Sequence, residues 1–103
     1  MRLGFILTVL TLFCPGLAHA DEAAVARGQA FVESHCARCH AIGPEGESPM
    51  AEAPPFRTLK QHYPVDSLAE ALAEGIVTGH PDMPPFELDP HQINDIILYL
   101  DTL

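Results

Sequence analysis

Cys36, Cys39 and His40 stand together in the run Cys36-Ala37-Arg38-Cys39-His40. Two thiols one helical turn apart can each add across a vinyl group of a porphyrin. The adjacent imidazole then reaches the iron from the same face. This is the spacing of a covalent c-type haem attachment, and it names the cofactor (one haem c), its tether and its proximal ligand together. A C-x-x-C pair also occurs in thioredoxin-like redox couples, which sit in a βαβ setting, and in zinc sites, which want four ligands, commonly in paired clusters. The chain offers neither a useful run of period-2 alternation nor a second cysteine pair, so covalent haem is the reading kept.

His40 would bind iron through Nε2, and its Nδ1–H then needs an acceptor that fixes the ring. The carbonyl of Pro54, or of a residue near it, is the candidate. The sixth iron position decides function, because a protein ligand there makes an electron-transfer centre and an open position admits gas or peroxide chemistry. Met50, Met83, His62, His80 and His91 are the candidates. Met83 lies in Gly79-His80-Pro81-Asp82-Met83-Pro84-Pro85-Phe86, where flanking prolines stiffen the chain around a thioether. His80, in the same segment, is its main competitor. Met50 has a flexible Pro/Glu/Ser setting, and His62 and His91 read as surface residues. Methionine favours reduced iron, so His/Met ligation raises the reduction potential relative to His/His. An apolar shell acts in the same direction and nearby carboxylates oppose it.

The N-terminus has the pattern of a secretory leader. Arg2 supplies positive charge, Leu3 to Phe13 form an apolar stretch too short to span a bilayer comfortably, and Ala18-His19-Ala20 is a small-x-small cleavage site. Residues 1–20 are therefore expected to be a signal peptide cleaved after Ala20, and residues 21–103 a single domain in the periplasm, with no stable membrane insertion afterwards. Cys14 would leave with the leader, and Phe13 before it does not suit lipidation. A core this small often needs a staple, which a covalent haem would supply.

The chain carries 14 Asp and Glu against 5 Lys and Arg, a net charge of −9. Nucleic acid is excluded as a partner, since nothing here neutralises phosphates. The acidity suits a redox partner with a basic docking face.

These residues must be positioned by helices. The expected order is helix, haem motif, irregular loop, helix, ligand loop, helix, with no sheet. The first helix should start at about Asp21 or Glu22, whose charges suit its N-terminal dipole, and should bury Ala24, Gly28, Phe31 and Val32 on one face. Residues 41–61 read as an ordered loop wrapped on the haem, with Pro54-Pro55 stiffening it and Phe56 packed on porphyrin or core. Ser67-Leu68-Ala69-Glu70 reads as a capping box, opening a helix with Leu68, Ala71, Leu72 and Ile76 inward and ending at Gly75 in a left-handed conformation. Asp89 as N-cap, Pro90 in the first turn and Gln92 three past the cap open the last helix. Ile93, Ile96, Ile97 and Leu100 form its stripe. It should cross the first helix at Gly28, where the missing side chain makes room for Tyr99.

Together these residues resemble the class I, single-haem c-type cytochromes of bacteria over nearly all of residues 21–103. The resemblance runs from the Gly28 helix through Cys36-x-x-Cys39-His40 and the Met83-Pro84 loop to the Tyr99 helix. The short His40-to-Met83 separation is similar to the compact bacterial members. One departure is Val32, where an aromatic is common, with Phe31 just before it. The resemblance implies an all-α, small cytochrome c fold wrapped around one haem, with thioethers at Cys36 and Cys39, His40 as proximal and Met83 as distal ligand. The implied function is one-electron transfer by a monomeric carrier, not an enzyme. Arg57, Lys60, Tyr63 and Thr78 are loose candidates for haem propionate contacts. Two other readings stand beside it. One is a dedicated subunit of a periplasmic dehydrogenase or reductase. The other is a haem sensor or peroxidase-like enzyme, against which the proline-flanked Met83 argues.

Overall fold

The computed structural model describes residues 4, 6, 8–12, 16–75 and 82–103. Among these residues there are four helices and no strand: α1 Gly16–His35, α2 Phe56–His62, α3 Val65–Glu74 and α4 Pro90–Leu100. None of the helices is long and apolar enough to cross a membrane. The all-α expectation holds. The expectations placed on Cys14, Ile76, Thr78, Gly79, His80 and Pro81 lie outside the described residues.

α1 begins earlier than expected. It runs back to Gly16, so Asp21 and Glu22 fall beyond its first turn, which holds no acidic residue. Leu17, Ala18 and Ala20 are strong helix formers, so the helix simply continues upstream of the acidic pair. The expected face is the one buried: Ala24 and Val32 are 4% and 1% exposed, Gly28 is buried, and Phe31 packs against the core cluster.

α4 starts as the sequence dictates. Asp89 accepts a hydrogen bond from the Gln92 N–H at 2.9 Å, and the Gln92 side chain accepts from the Asp89 N–H at 3.2 Å. This reciprocal pair satisfies two backbone donors that a helix start leaves free. Ile93, Ile96, Tyr99 and Leu100 are buried. Tyr99 therefore joins the core stripe.

α1 and α4 cross at Gly28. A Cβ there would collide with the carbonyl of Asp95 and come within 3.0 Å of the Tyr99 Cβ. The glycine thus lets two helix backbones touch, and the neighbour it accommodates first is the α4 backbone itself. Val32, Phe56, Ile96, Tyr99 and Leu100 form the core around this crossing. The Tyr99 hydroxyl donates to the Ile42 carbonyl at 2.6 Å, tying the loop after His40 to α4.

Two expectations are corrected. Residues 41–61 are not loop throughout, because α2 occupies Phe56–His62. Its N-cap is Pro55, held at φ −60° and ψ 138°, with no side-chain cap. The helix α3 does not open at Ser67 either. Pro64 is its N-cap, and its carbonyl accepts from both the Ser67 and Leu68 N–H groups at 3.0 and 3.2 Å. Proline steers the residue before it away from helical backbone, so α2 and α3 each begin just after one. α3 buries no residue fully, but Leu68 and Leu72 pack against the core from its inward side. Gly75 ends it at φ 90° and ψ 118°, a positive φ as expected but more extended than the left-handed helical form.

Candidate functional site

The last turn of α1 carries the chain straight into the cysteine motif. The Cys36 N–H donates to the Val32 carbonyl at 2.8 Å, and the Cys36 carbonyl accepts from Cys39 and His40 at 3.2 and 2.9 Å. This tight turn brings both thiols and the imidazole to one side of the helix end. The loop beyond is ordered by its own backbone. Met50 N–H donates to the Cys39 carbonyl at 3.1 Å, Ala41 N–H to the Ser48 hydroxyl at 2.9 Å, and Phe56 N–H to the Ala41 carbonyl at 2.9 Å.

That folding places the Pro54 carbonyl 2.8 Å from the His40 Nδ1. A carbonyl only accepts, so the proton sits on Nδ1 and the lone pair on Nε2 is left free for a ligand. The Phe56 ring lies 5.0 Å from the imidazole, centroid to centroid, at a tilt of 44°. Of the acceptors the sequence left open, Pro54 is the one the fold supplies.

His40 faces a cavity of about 520 Å³. Cys36, Cys39, His40 and Met83 all line it. Its walls are largely apolar: Phe31 and Val32 from α1, Phe56 and Leu59 from α2, Leu68 and Leu72 from α3, and Ile96 and Leu100 from α4. The segment carrying Met83 closes one side, with Pro84, Phe86 and Leu88 also in the lining. That segment is tied to α3 where the Leu88 N–H donates to the Leu72 carbonyl at 3.0 Å.

The other sequence candidates separate. Met50 lines the same cavity. His62 and His91 are exposed and do not line it. Arg57 donates to the Gly46 carbonyl at 2.7 Å and Lys60 to the Asp101 carbonyl at 3.4 Å, so both are engaged on backbone away from the lining. Tyr63 does line the cavity and is 53% exposed at its rim.

His35 is a lining residue that the sequence did not single out. It stacks on Phe31 with ring centroids 4.1 Å apart and planes at 11°. The helical i, i+4 spacing of two flat side chains was the signal for it.

Both described cysteines are free. Burial pushes the Cys36 thiol up to about 11 from its usual 9.0, and the neighbouring Cys39 adds to the rise. Among the described residues, no three His, Cys, Asp or Glu gather as a metal-binding group, so none of them completes a four-ligand zinc site around Cys36 and Cys39.

The chain matches the family described as "Cytochrome C oxidase, cbb3-type, subunit III" over residues 23–100. The match runs from within α1 to the end of α4. Helical fold, cavity and match define a c-type cytochrome, and the chain belongs to that family. Comparison with curated proteins and with solved structures found no match.

Membership implies a haem cofactor, and a cytochrome c domain fits an electron carrier rather than a catalyst. The residues present fit such a group. An apolar cavity suits a flat macrocycle, the free Nε2 of an oriented imidazole suits its iron, and two free thiols stand in the same wall.

Proposed function

We propose that the protein is a periplasmic one-electron carrier that holds a single haem covalently through Cys36 and Cys39, with His40 and Met83 as axial ligands. When bound, the haem supplies reversible one-electron chemistry by cycling its iron between Fe(II) and Fe(III). His40 is oriented for this by Pro54 and braced by Phe56. A ligand that needs no reorientation keeps the cost of each electron low. The lining side chains of α1, α2, α3 and α4 would surround the haem with mostly apolar surface. Met83 brings a soft thioether from a proline-stiffened segment.

The observation that carries this reading is the His40–Pro54 hydrogen bond at 2.8 Å in the wall of a cavity that also holds both thiols and Met83. Export to the periplasm is supported by Arg2, the apolar stretch that follows it and Ala18-His19-Ala20. Net acidity supports redox partners with a basic docking face. The test is expression with the c-type haem maturation machinery followed by denaturation in acidified organic solvent. The haem should stay with the polypeptide. Release of the haem would overturn covalent attachment.

The family's description as a subunit favours a second reading, in which this domain serves one larger redox complex rather than diffusing between partners. Purification from native membranes and soluble fractions separates the two. A free carrier elutes alone in the soluble fraction, and a subunit elutes with its complex.

A further inference from the structure

His35 ends α1 and lines the cavity. Its ring is fixed on α1 twice over: it stacks on Phe31 at 4.1 Å, and its Nδ1–H donates to the Phe31 carbonyl at 2.9 Å. His35 is exposed, and the part of its ring outside the stack contributes to the cavity lining. Phe86 meets it there nearly perpendicular, at 85°, with centroids 6.2 Å apart. That is the edge-to-face arrangement aromatic pairs prefer.

Phe86 belongs to the segment that carries Met83, and only Pro84 and Pro85 separate the two. Two consecutive prolines allow little backbone freedom. Where Phe86 is seated therefore largely sets where Met83 lies. The downstream end of the segment is pinned to α3 through Leu88 and Leu72. The contact between His35 and Phe86 is the tie to the opposite wall.

We infer that His35 is a positioning residue: through Phe86 it seats the Met83-bearing segment against the cavity. This rests on the reading of Met83 as distal ligand. His35 touches neither the sulfur nor the iron position. It sets the balance between a closed segment, with Met83 inward, and a displaced one. Phe31 is part of the device, because it keeps the imidazole from rotating away from Phe86.

The test is equilibrium binding of carbon monoxide to the reduced holoprotein, read by absorbance, together with the thioether–iron(III) absorption band. Carbon monoxide competes for the position that a displaced segment vacates. An aromatic pair of this kind corresponds to a factor of about five in such an equilibrium. His35→Ala and Phe86→Leu should each raise carbon monoxide affinity about fivefold, and both should weaken the thioether band. The double variant should gain no more than either single one, since both remove one contact. His35→Phe restores a flat ring on Phe31 and should return affinity to near that of the parent.

Three results overturn the inference: unchanged affinity in both single variants, effects that multiply in the double variant, or failure of His35→Phe to rescue. Met83→Ala separates the two levels. If Met83→Ala opens the site and His35→Ala does not, only the role of His35 fails. If Met83→Ala binds the gas no better than the parent, the axial assignment fails and the inference falls with it.

Discussion

Gly28 of α1 lies directly against the backbone carbonyl of Asp95 in α4, with the Tyr99 Cβ beside it. This contact sets the distance between the two longest helices, and with it the wall that Val32, Ile96 and Leu100 give to the cavity. Gly28→Ala forces the helices apart. It should cost about 1–3 kcal/mol even after the gain in helix propensity, as overpacking of a close contact does. Thermal melting of the purified variant checks this. An unchanged melting temperature would mean that the crossing relaxes freely.

Tyr99 links α4 to the loop behind His40. Its hydroxyl donates to the Ile42 carbonyl. Tyr99→Phe keeps the ring and removes that bond, at a cost of about 1 kcal/mol. Burial, helped by the charge of Glu33, raises the Tyr99 pKa above its ordinary 10.0. The folded state then holds the proton more tightly than the unfolded one. Its contribution is complete below pH 10.0 and is lost as pH rises from there through the folded value. Stability should fall above about pH 10 in the parent and fall less in Tyr99→Phe. Denaturant titrations across that range read it.

A second pH dependence lies at the acid end. Arg27 grips Asp95 with two hydrogen bonds of 2.9 and 3.1 Å across the same helix crossing. The Arg27 hydrogen bond holds the Asp95 carboxyl below its ordinary 3.8. The depressed value means that this stabilisation is present above 3.8 and is lost as pH falls through the folded value. The pair is exposed on the Arg27 side, so the effect is small and weakened by salt. Asp95→Asn should flatten the acid limb below about pH 4 and leave neutral stability nearly unchanged.

Met50 and Met83 both line the cavity, and they are told apart by substitution. Met83→Leu keeps bulk and removes the thioether, so the reduction potential should drop and carbon monoxide should bind. Met50→Leu should change neither. If Met50→Leu were the variant that opened the site, the two methionines would exchange roles. Potentiometry with gas titration on both variants decides it.

How much could be read from the chain alone differs by residue. The start of α4 was legible in full, because Asp89, Pro90 and Gln92 act within one turn. The crossing at Gly28 was legible because a helical glycine inside an apolar stripe signals close approach. α2 was not, since Phe56–His62 offers only Phe56 and Leu59 as apolar residues and has no polar cap. Ser67 misled because a capping-box pattern competes with a proline three residues earlier, and the proline set the helix start. The Pro54 carbonyl was one of several acceptors until the Phe56–Ala41 and Met50–Cys39 backbone bonds folded the loop. His35 is not marked by the sequence, because its ring partner Phe86 lies far away in the chain.

The most direct test of the His40/Met83 site is the visible spectrum of the reduced, mature holoprotein with and without carbon monoxide. A low-spin spectrum that the gas moves only at concentrations far above those that saturate Met83→Ala is the predicted result, since His40 and Met83 then hold both axial positions. A spectrum that shifts readily would contradict it, and would mark an open sixth position and a sensor or enzyme in place of a carrier.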